Sequence, residues 1–498
     1  MARLAACALF AASMAALPAN AALTISNKPT RHIDCIGGTC MATAANANLN
    51  ATELANMLDT ERVSVEGVQG EDIQIGAAFS WTSDRGLALI SHHSVIFNQP
   101  VTVAGPGGLS LTTNEQNGVG GVLTFGAKGA VKFWDTSSGL IIGGQHYTLE
   151  SDIGTLASDI AARPHGDFAL ANSVNLKGQS FIDAAITTMF TGQLEGLGNT
   201  ISKLRAETFI NGFAGLFENM AGSVENLHLS KARIKGKRFA TVGGLAAVCG
   251  GTIFNVDVEG QFRVNSAGTV GGLCGTSSGT VAGSHASGIA EGMGSWGHGQ
   301  PGTKIVGGLV GTETGGSIVN SYSTVQISTG QTWSVGGLVG ENHGTVSSSY
   351  ASGAVFGDAN SLVGGLIGSN AGASVADCYA SGAVTGAVDT TVGGLIGLNN
   401  GAVATSYSSG AVASGSGNAV GGFVGNDAGT PDLTDTYWDI TTSGQSHGAG
   451  NTTNDPGITG LTTEEFQAGL PAGFDPAIWA EAADVNGGLP YLLALPPG

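Results

Sequence analysis

Val335-Gly-Gly-Leu-Val-Gly340 and Val363-Gly-Gly-Leu-Ile-Gly368 are two copies of one phrase, which also begins at Val270, Val306, Val392 and Val420. A degenerate copy starts at Val242, and successive starts lie 28, 36, 29, 28, 29 and 28 residues apart. Self-similarity at such a period is the signature of a repeat architecture. A second phrase keeps the same beat at Tyr322, Tyr350, Tyr379, Tyr407 and Tyr437, usually preceded by Ser or Cys and followed by Ser or Ala and then Gly. Between the two lies a small-polar turn such as Glu341-Asn-His-Gly344. It is followed by an alternating run, Thr345 to Tyr350, whose β-branched residues read as a short strand. The Gly-Gly pairs mark corners where a β-carbon is costly.

A period of 28 or 29 residues holds about three short strands and three corners, one coil of a β-helix. A single coil cannot bury its Val, Leu and Ile residues, whereas stacking at about 4.8 Å per coil makes a continuous core and pairs the backbone edges. The expected fold is therefore all-β, a β-helix or β-solenoid with short capping helices. A propeller blade needs about 40 residues, and a leucine-rich horseshoe needs a helical side that is absent here. The tyrosines fall at equivalent positions, where they either stack in a ladder or pack sideways on a neighbouring sheet.

Working outward, residues 52–58 predict a short helix with Leu54 and Leu58 on one face. Val63 to Leu149 turns to short strands separated by Gly, Asn and Pro, an irregular β-helix. Asp152 to Ala162 predicts a second small helix, with Leu156 and Ile160 on one face. Thr462-Thr-Glu-Glu465 has the form of a capping box, and Trp479 and Tyr491 are aromatic anchors. The expected organisation is a signal peptide (1–21), an N-terminal cap (22–62), an irregular β-helical region (63–150), a transition (151–241), the repeat solenoid (242–440) and a C-terminal cap or tail (441–498).

Met1 to Ala21 carries Arg3, an apolar run from Leu4 to Leu17 and a small-residue exit at Ala19-Asn-Ala21, the pattern of a signal peptide. No later run reaches the length of a membrane-spanning helix. In an exported chain Cys35 and Cys40 are expected to form a local disulfide; no second close cysteine pair completes a metal site there. Cys249, Cys274 and Cys378 sit in apolar or repeat segments and are expected to be buried free thiols.

Composition limits the function classes. The 498 residues include 83 Gly and 13 Pro, with 11% charged and 42% hydrophobic residues, which excludes a highly charged disordered tail and collagen. No Lys or Arg follows Lys304, while Glu313 through Asp484 supply 15 carboxylates. Nucleic acid and anionic membrane surfaces are poor partners for that half. Calcium is compatible with its charge, and no cofactor is otherwise expected.

The phrase Val-Gly-Gly-Leu-Val-Gly, followed by Gly-x-Val and Ser-Tyr-Ser-x-Gly, resembles the GLUG-motif repeats of bacterial surface and secreted proteins. Phe190 to Ile201, Tyr437-Trp438-Asp439 and Pro490-Tyr491-Leu492 resemble segments found around those repeats, so the likeness spans roughly residues 150 to 493. Residues 51 to 149 more loosely resemble the β-helical regions of filamentous haemagglutinin-like adhesins and autotransporter passengers. The resemblance implies display at the cell surface or outside the cell, the periplasm being the other compartment, with attachment to a glycan or a surface protein. No long set of C-terminal barrel strands is seen, so self-translocation is not expected.

For catalysis the strongest pattern is a pair of carboxylates for polysaccharide hydrolysis, Asp432 with Asp435 or Asp435 with Asp439. Loop and edge solvation explains the same residues. His92-His93 lacks a sequence-local acidic or cysteine partner to make a metal site specific. Ser349-Tyr350 and its relatives lack a recurring histidine base. The expectation is a non-catalytic surface or matrix protein. The alternatives are a polysaccharide-degrading enzyme and a purely structural envelope protein.

Overall fold

The computed structural model describes residues 22–115, 120–292, 304–330, 333–416, 419–428, 433–453 and 455–497. The segment 1–21 and Asp432 therefore lie outside the described residues. The chain divides into two units, one of Met1–Val174, Gly192–Ile201 and Val224–His228, the other of Asn175–Thr191, Ser202–Ser223 and Leu229–Gly498.

In the first unit three stacks of parallel strands follow one another around each coil. One stack runs Thr39–Ala42, Val63–Glu66, Leu87–Ile90, Leu109–Thr112 and Leu140–Ile142. A second contains Asp72–Ile75, Val95–Phe97 and Leu123–Phe125, and a third contains Phe79–Trp81, Pro100–Val103 and Ala130–Phe133. Alternation puts Val63, Val65, Leu87, Leu89, Leu109 and Leu111 inside, and each such buried side chain contributes about 1.5–3 kcal/mol. The strand Ala22–Ser26 inserts between Asn48–Asn50 and Asp72–Ile75, so the start of the described chain is paired on both sides.

The helix read from residues 52–58 is present as Ala51–Leu58. The Asn50 side chain accepts from the N–H groups of Thr52 and Glu53, satisfying two donors that a helix start leaves free. Leu54 and Leu58 are buried beneath it. The helix read from 152–162 spans Ile153–Ala162 with Asp152 as its cap. An antiparallel hairpin, Ile33–Ile36 with Thr39–Ala42, sets Cys35 opposite Cys40, and the two are joined in a disulfide.

The second unit contains the regular coils. Its first sheet has eight parallel strands, Phe213–Ala214 followed by seven that carry the Val-Gly of each phrase, with Val335, Val363, Val392 and Val420 in direct register. Its second sheet also has eight, Phe217–Met220 followed by seven that begin at the fifth residue of the phrase, with Val339, Ile367, Ile396 and Val424 in register. The third face holds Val346, Val375 and Val403, then the tyrosines, then Val355, Val384 and Val412. All of these aliphatic residues but Val420 are buried.

The Gly-Gly corner is required by close approach, not by a left-handed backbone. A β-carbon on Gly336 would lie 1.9 Å from the Val339 carbonyl oxygen, and one on Gly337 would lie 2.0 Å from the Gly365 oxygen one coil on. Left-handed corners fall elsewhere, two residues before each tyrosine: Asn320, Ser348, Asp377, Thr405 and Asp435 all have φ between 43° and 52°.

One expectation is overturned in this unit. Cys249 and Cys274 are not free thiols but are joined, with Cα atoms 6.1 Å apart. They belong to Ala246–Cys249 and Cys274–Ser277, parallel neighbours on successive coils. A separation of 25 residues therefore becomes a strand-to-strand contact. Cys378 is free and buried.

Candidate functional site

The tyrosine column is the most organised feature on the third face. Tyr322 stacks on Tyr350 (centroids 4.9 Å, 4° between planes), Tyr350 on Tyr379 (4.7 Å, 11°) and Tyr379 on Tyr407 (5.2 Å, 6°). His285 is a further rung, 4.5 Å from Tyr322 and nearly parallel to it. The sequence carried a sign of this: Ser284-His-Ala-Ser-Gly288 is the phrase Ser349-Tyr-Ala-Ser-Gly353 with His in place of Tyr.

Ladder and sideways packing coexist. The C-terminal tail lays Phe466, Phe474, Trp479 and Leu492 against Tyr350, Tyr379, Tyr407 and Tyr437 in one buried cluster. Tyr437 is in register with Tyr407 but turns its edge to Phe474, 5.7 Å away at 73°. The tail is held by polar ties: the Tyr407 hydroxyl donates to the Pro490 carbonyl and accepts from Asn486 Nδ2 at 2.8 Å. Trp479 Nε1 donates to Asp377 Oδ1 at 3.1 Å. Burial pushes the Tyr379 and Tyr407 hydroxyls far above their ordinary range, so both stay neutral. At the other end of the column His285 and Tyr322 are half-buried, and His285 Nδ1 meets Asp257 Oδ1 at 2.5 Å.

The residue before each tyrosine has a structural duty. Ser349 Oγ accepts from the Ser321 N–H one coil back and donates to the Ser347 carbonyl, and Ser321 and Ser406 do the same in their coils. Cys378 occupies this column in place of Ser, with its sulfur against the Ala376 carbonyl. These hydroxyls bridge coils and are not poised as nucleophiles.

Of the described carboxylates considered for catalysis, Asp439 is likewise committed. Asp439 is buried; its Oδ1 accepts from the Thr441 and Thr442 N–H groups, capping the turn Ile440–Ser443, and its Oδ2 accepts from Thr463 Oγ1 at 2.7 Å. Asp435 is half-exposed, the last of the left-handed corner residues, and packs where a β-carbon on Gly473 would strike its carboxylate.

Coil stacking gives His92 and His93 the acidic neighbours that the local sequence lacks. His93 Nδ1 lies 2.7 Å from Asp72 Oδ1 and 3.1 Å from Ser94 Oγ, while His92 Nε2 lies 3.7 Å from Glu66. The same ring nitrogen faces both Asp72 and Ser94, so the three do not form a relay in which the base uses one nitrogen for each partner. Among the described residues no group of three or more His, Cys, Asp or Glu is arranged to hold a metal ion.

A polar ladder also runs inside the coils. Asn342 Nδ2 donates to Asn370 Oδ1 (2.9 Å), Asn370 to Asn399 (2.8 Å) and Asn399 to Asp427 Oδ1 (2.9 Å), so each amide satisfies the next coil. Its trace in the sequence is Asn or Asp two residues before Gly: Asn342-His-Gly344, Asn399-Asn-Gly401 and Asp427-Ala-Gly429.

Residues 331–355 and 359–385, which contain two of these coils, match the family of the GLUG motif. The chain carries GLUG-motif repeats. No curated protein matches the chain. Two solved structures are similar in part. One is a putative immunoglobulin A1 protease from Bacteroides ovatus, at 14% identity and a TM-score of 0.38 over 70% of this chain and 93% of that one. The other is an IgA1 protease, at 21% identity and a TM-score of 0.36 over 56% of this chain and 24% of that one. Neither likeness bears on what the GLUG coils here do.

Proposed function

We propose that this GLUG-repeat protein is an exported, non-catalytic surface or matrix protein whose stacked coils hold binding faces toward a glycan or a surface protein. The observation that carries the reading is the use made of the polar side chains. Ser349 and the Asn342 ladder spend their hydrogen bonds joining coils, and Asp439 spends its own capping a turn and holding Thr463, so the repeat builds a rigid scaffold. Two disulfides support an oxidising compartment, where such bonds persist. Glycan-array and cell-attachment assays of the chain lacking residues 1–21 test the reading. Binding to a defined glycan or cell surface, and an attachment defect on deletion, is the expected result; the absence of both refutes it. Reducing-end release from a polysaccharide, abolished by Asp435→Asn with the fold intact, would establish the enzymatic alternative instead.

A further inference from the structure

Seven of the chain's 18 basic residues lie between Lys203 and Arg238, although the whole chain carries a net charge of −19. In Lys231-Ala-Arg-Ile-Lys-Gly-Lys237 every second residue is basic. Ala232, Ile234 and Gly236 are buried while Lys231, Arg233 and Lys235 are exposed, so the cations form a row on one face of a strand. The parallel strand Arg205–Ile210 sets Arg205 beside Arg233 and Glu207 beside Lys235. Neighbouring positions in this grid are about 4.8 Å apart across strands and about 6.8 Å apart along one.

Glu207 does not neutralise the grid, because its carboxylate pairs with Lys237 at 3.7 Å, which also sits 4.0 Å over the Phe209 ring. Among the described residues Arg205, Arg233 and Lys235 have no carboxylate within 4.0 Å. Like charges directly opposite on adjacent strands are unfavourable, and an anion laid between them relieves the repulsion. Between them is a cleft of about 170 Å³ lined by Ser180, Phe181, Arg205, Glu207, Arg233 and Lys235.

We propose that this face binds a linear polysaccharide whose sugars carry an acidic group, a carboxylate or a sulfate. The guanidinium forks of Arg205 and Arg233 grip the anion, Ser180 offers a hydroxyl, and the Phe181 ring gives a sugar an apolar surface. The cations lie in strand register on a sheet face and around a narrow cleft, an arrangement that suits a stiff chain of regularly spaced charges better than a fluid layer of headgroups. The inference rests on the display reading above and gives it a ligand class.

Affinity electrophoresis of the chain lacking residues 1–21 through polygalacturonate, dextran sulfate and neutral dextran tests it, the first two separating carboxylate from sulfate. The expected result is retention by at least one acidic polymer and not by dextran, weakening as salt is raised. Arg205→Gln/Arg233→Gln/Lys235→Gln is expected to lose about tenfold or more in affinity, while Lys28→Gln/Lys128→Gln/Lys132→Gln, with the same change in net charge, stays within about twofold. Arg233→Gln alone, with an unchanged melting transition, is expected to show a smaller loss of the same kind. No retention by either acidic polymer, equal losses in the two triple variants, or tighter binding to phosphatidylglycerol vesicles or single-stranded DNA overturns the proposal. If the polymers are not retained but cells still attach, the display reading stands and this face is not its site.

Discussion

A single amide shows how polar residues act in these coils. Asn370 is fully buried, accepts from Asn342 and donates to Asn399 and to the Ala373 carbonyl. Asn370→Ala leaves the buried Asn342 donor without its partner and takes from Asn399 Oδ1 one of two donors, the Gly401 N–H remaining, so a loss of about 2 kcal/mol is expected, read from the urea midpoint at constant m-value. Glu195 presents a buried charge problem in the first unit. Its carboxyl accepts from the Leu197 N–H and from Asn226, yet burial, with the Glu225 charge second, pushes its pKa up to about 8. The folded chain thus keeps a proton that the unfolded carboxyl releases near its ordinary 4.5. The stabilisation is fully present below the unfolded value and is lost as pH rises through about 8. Urea melts at pH 5 and pH 9 should show a drop in stability of the wild type that Glu195→Gln makes smaller.

The corner and the tail are the elements on which the coils depend. A β-carbon on Gly336 or Gly393 would sit 1.9 Å from a carbonyl oxygen across its own corner, a contact that only backbone movement relieves. Gly393→Ala is therefore expected to cost more than the roughly 1 kcal/mol typical of a point substitution, and a surface Ser414→Ala to cost almost nothing, by thermal melts. The tail was legible in part: the capping box at Thr462 and Glu465 is formed, with the Thr462 hydroxyl accepting from the Glu465 N–H and the Glu465 carboxylate from the Thr462 N–H. Its docking on the tyrosines was not legible, because Trp479 and Asp377 are 102 residues apart. Trp479 is 1% exposed, and Trp479→Ala is expected to cost about 3–5 kcal/mol of the docking free energy. Limited proteolysis should then cut within residues 467–497 while the coils resist.

On the scale of the whole molecule, the cysteines are divided between two disulfides and one buried thiol among the described residues. Thiol counting on the chain lacking residues 1–21 should find one reactive group, Cys378, and only after denaturation, since it is buried and burial raises its pKa. Reduction releases a crosslink 25 residues long between Cys249 and Cys274, so a loss of about 3 kcal/mol is expected, visible as a lower melting temperature in reductant. The repeat period by itself determined the β-solenoid, because a 28-residue coil with Gly corners and alternating β-branched residues can bury its inner face only by stacking. Local spacing also determined the two capped helices and the positions of the tyrosines. Only the tertiary structure decided what lies one coil away: the second disulfide, the asparagine ladder, Asp72 beside His93, and Arg205 beside Arg233. The physical reason is that stacking makes neighbours of residues a coil apart in the chain, and a reading of adjacent residues sees the period without seeing which chemistry each column brings together.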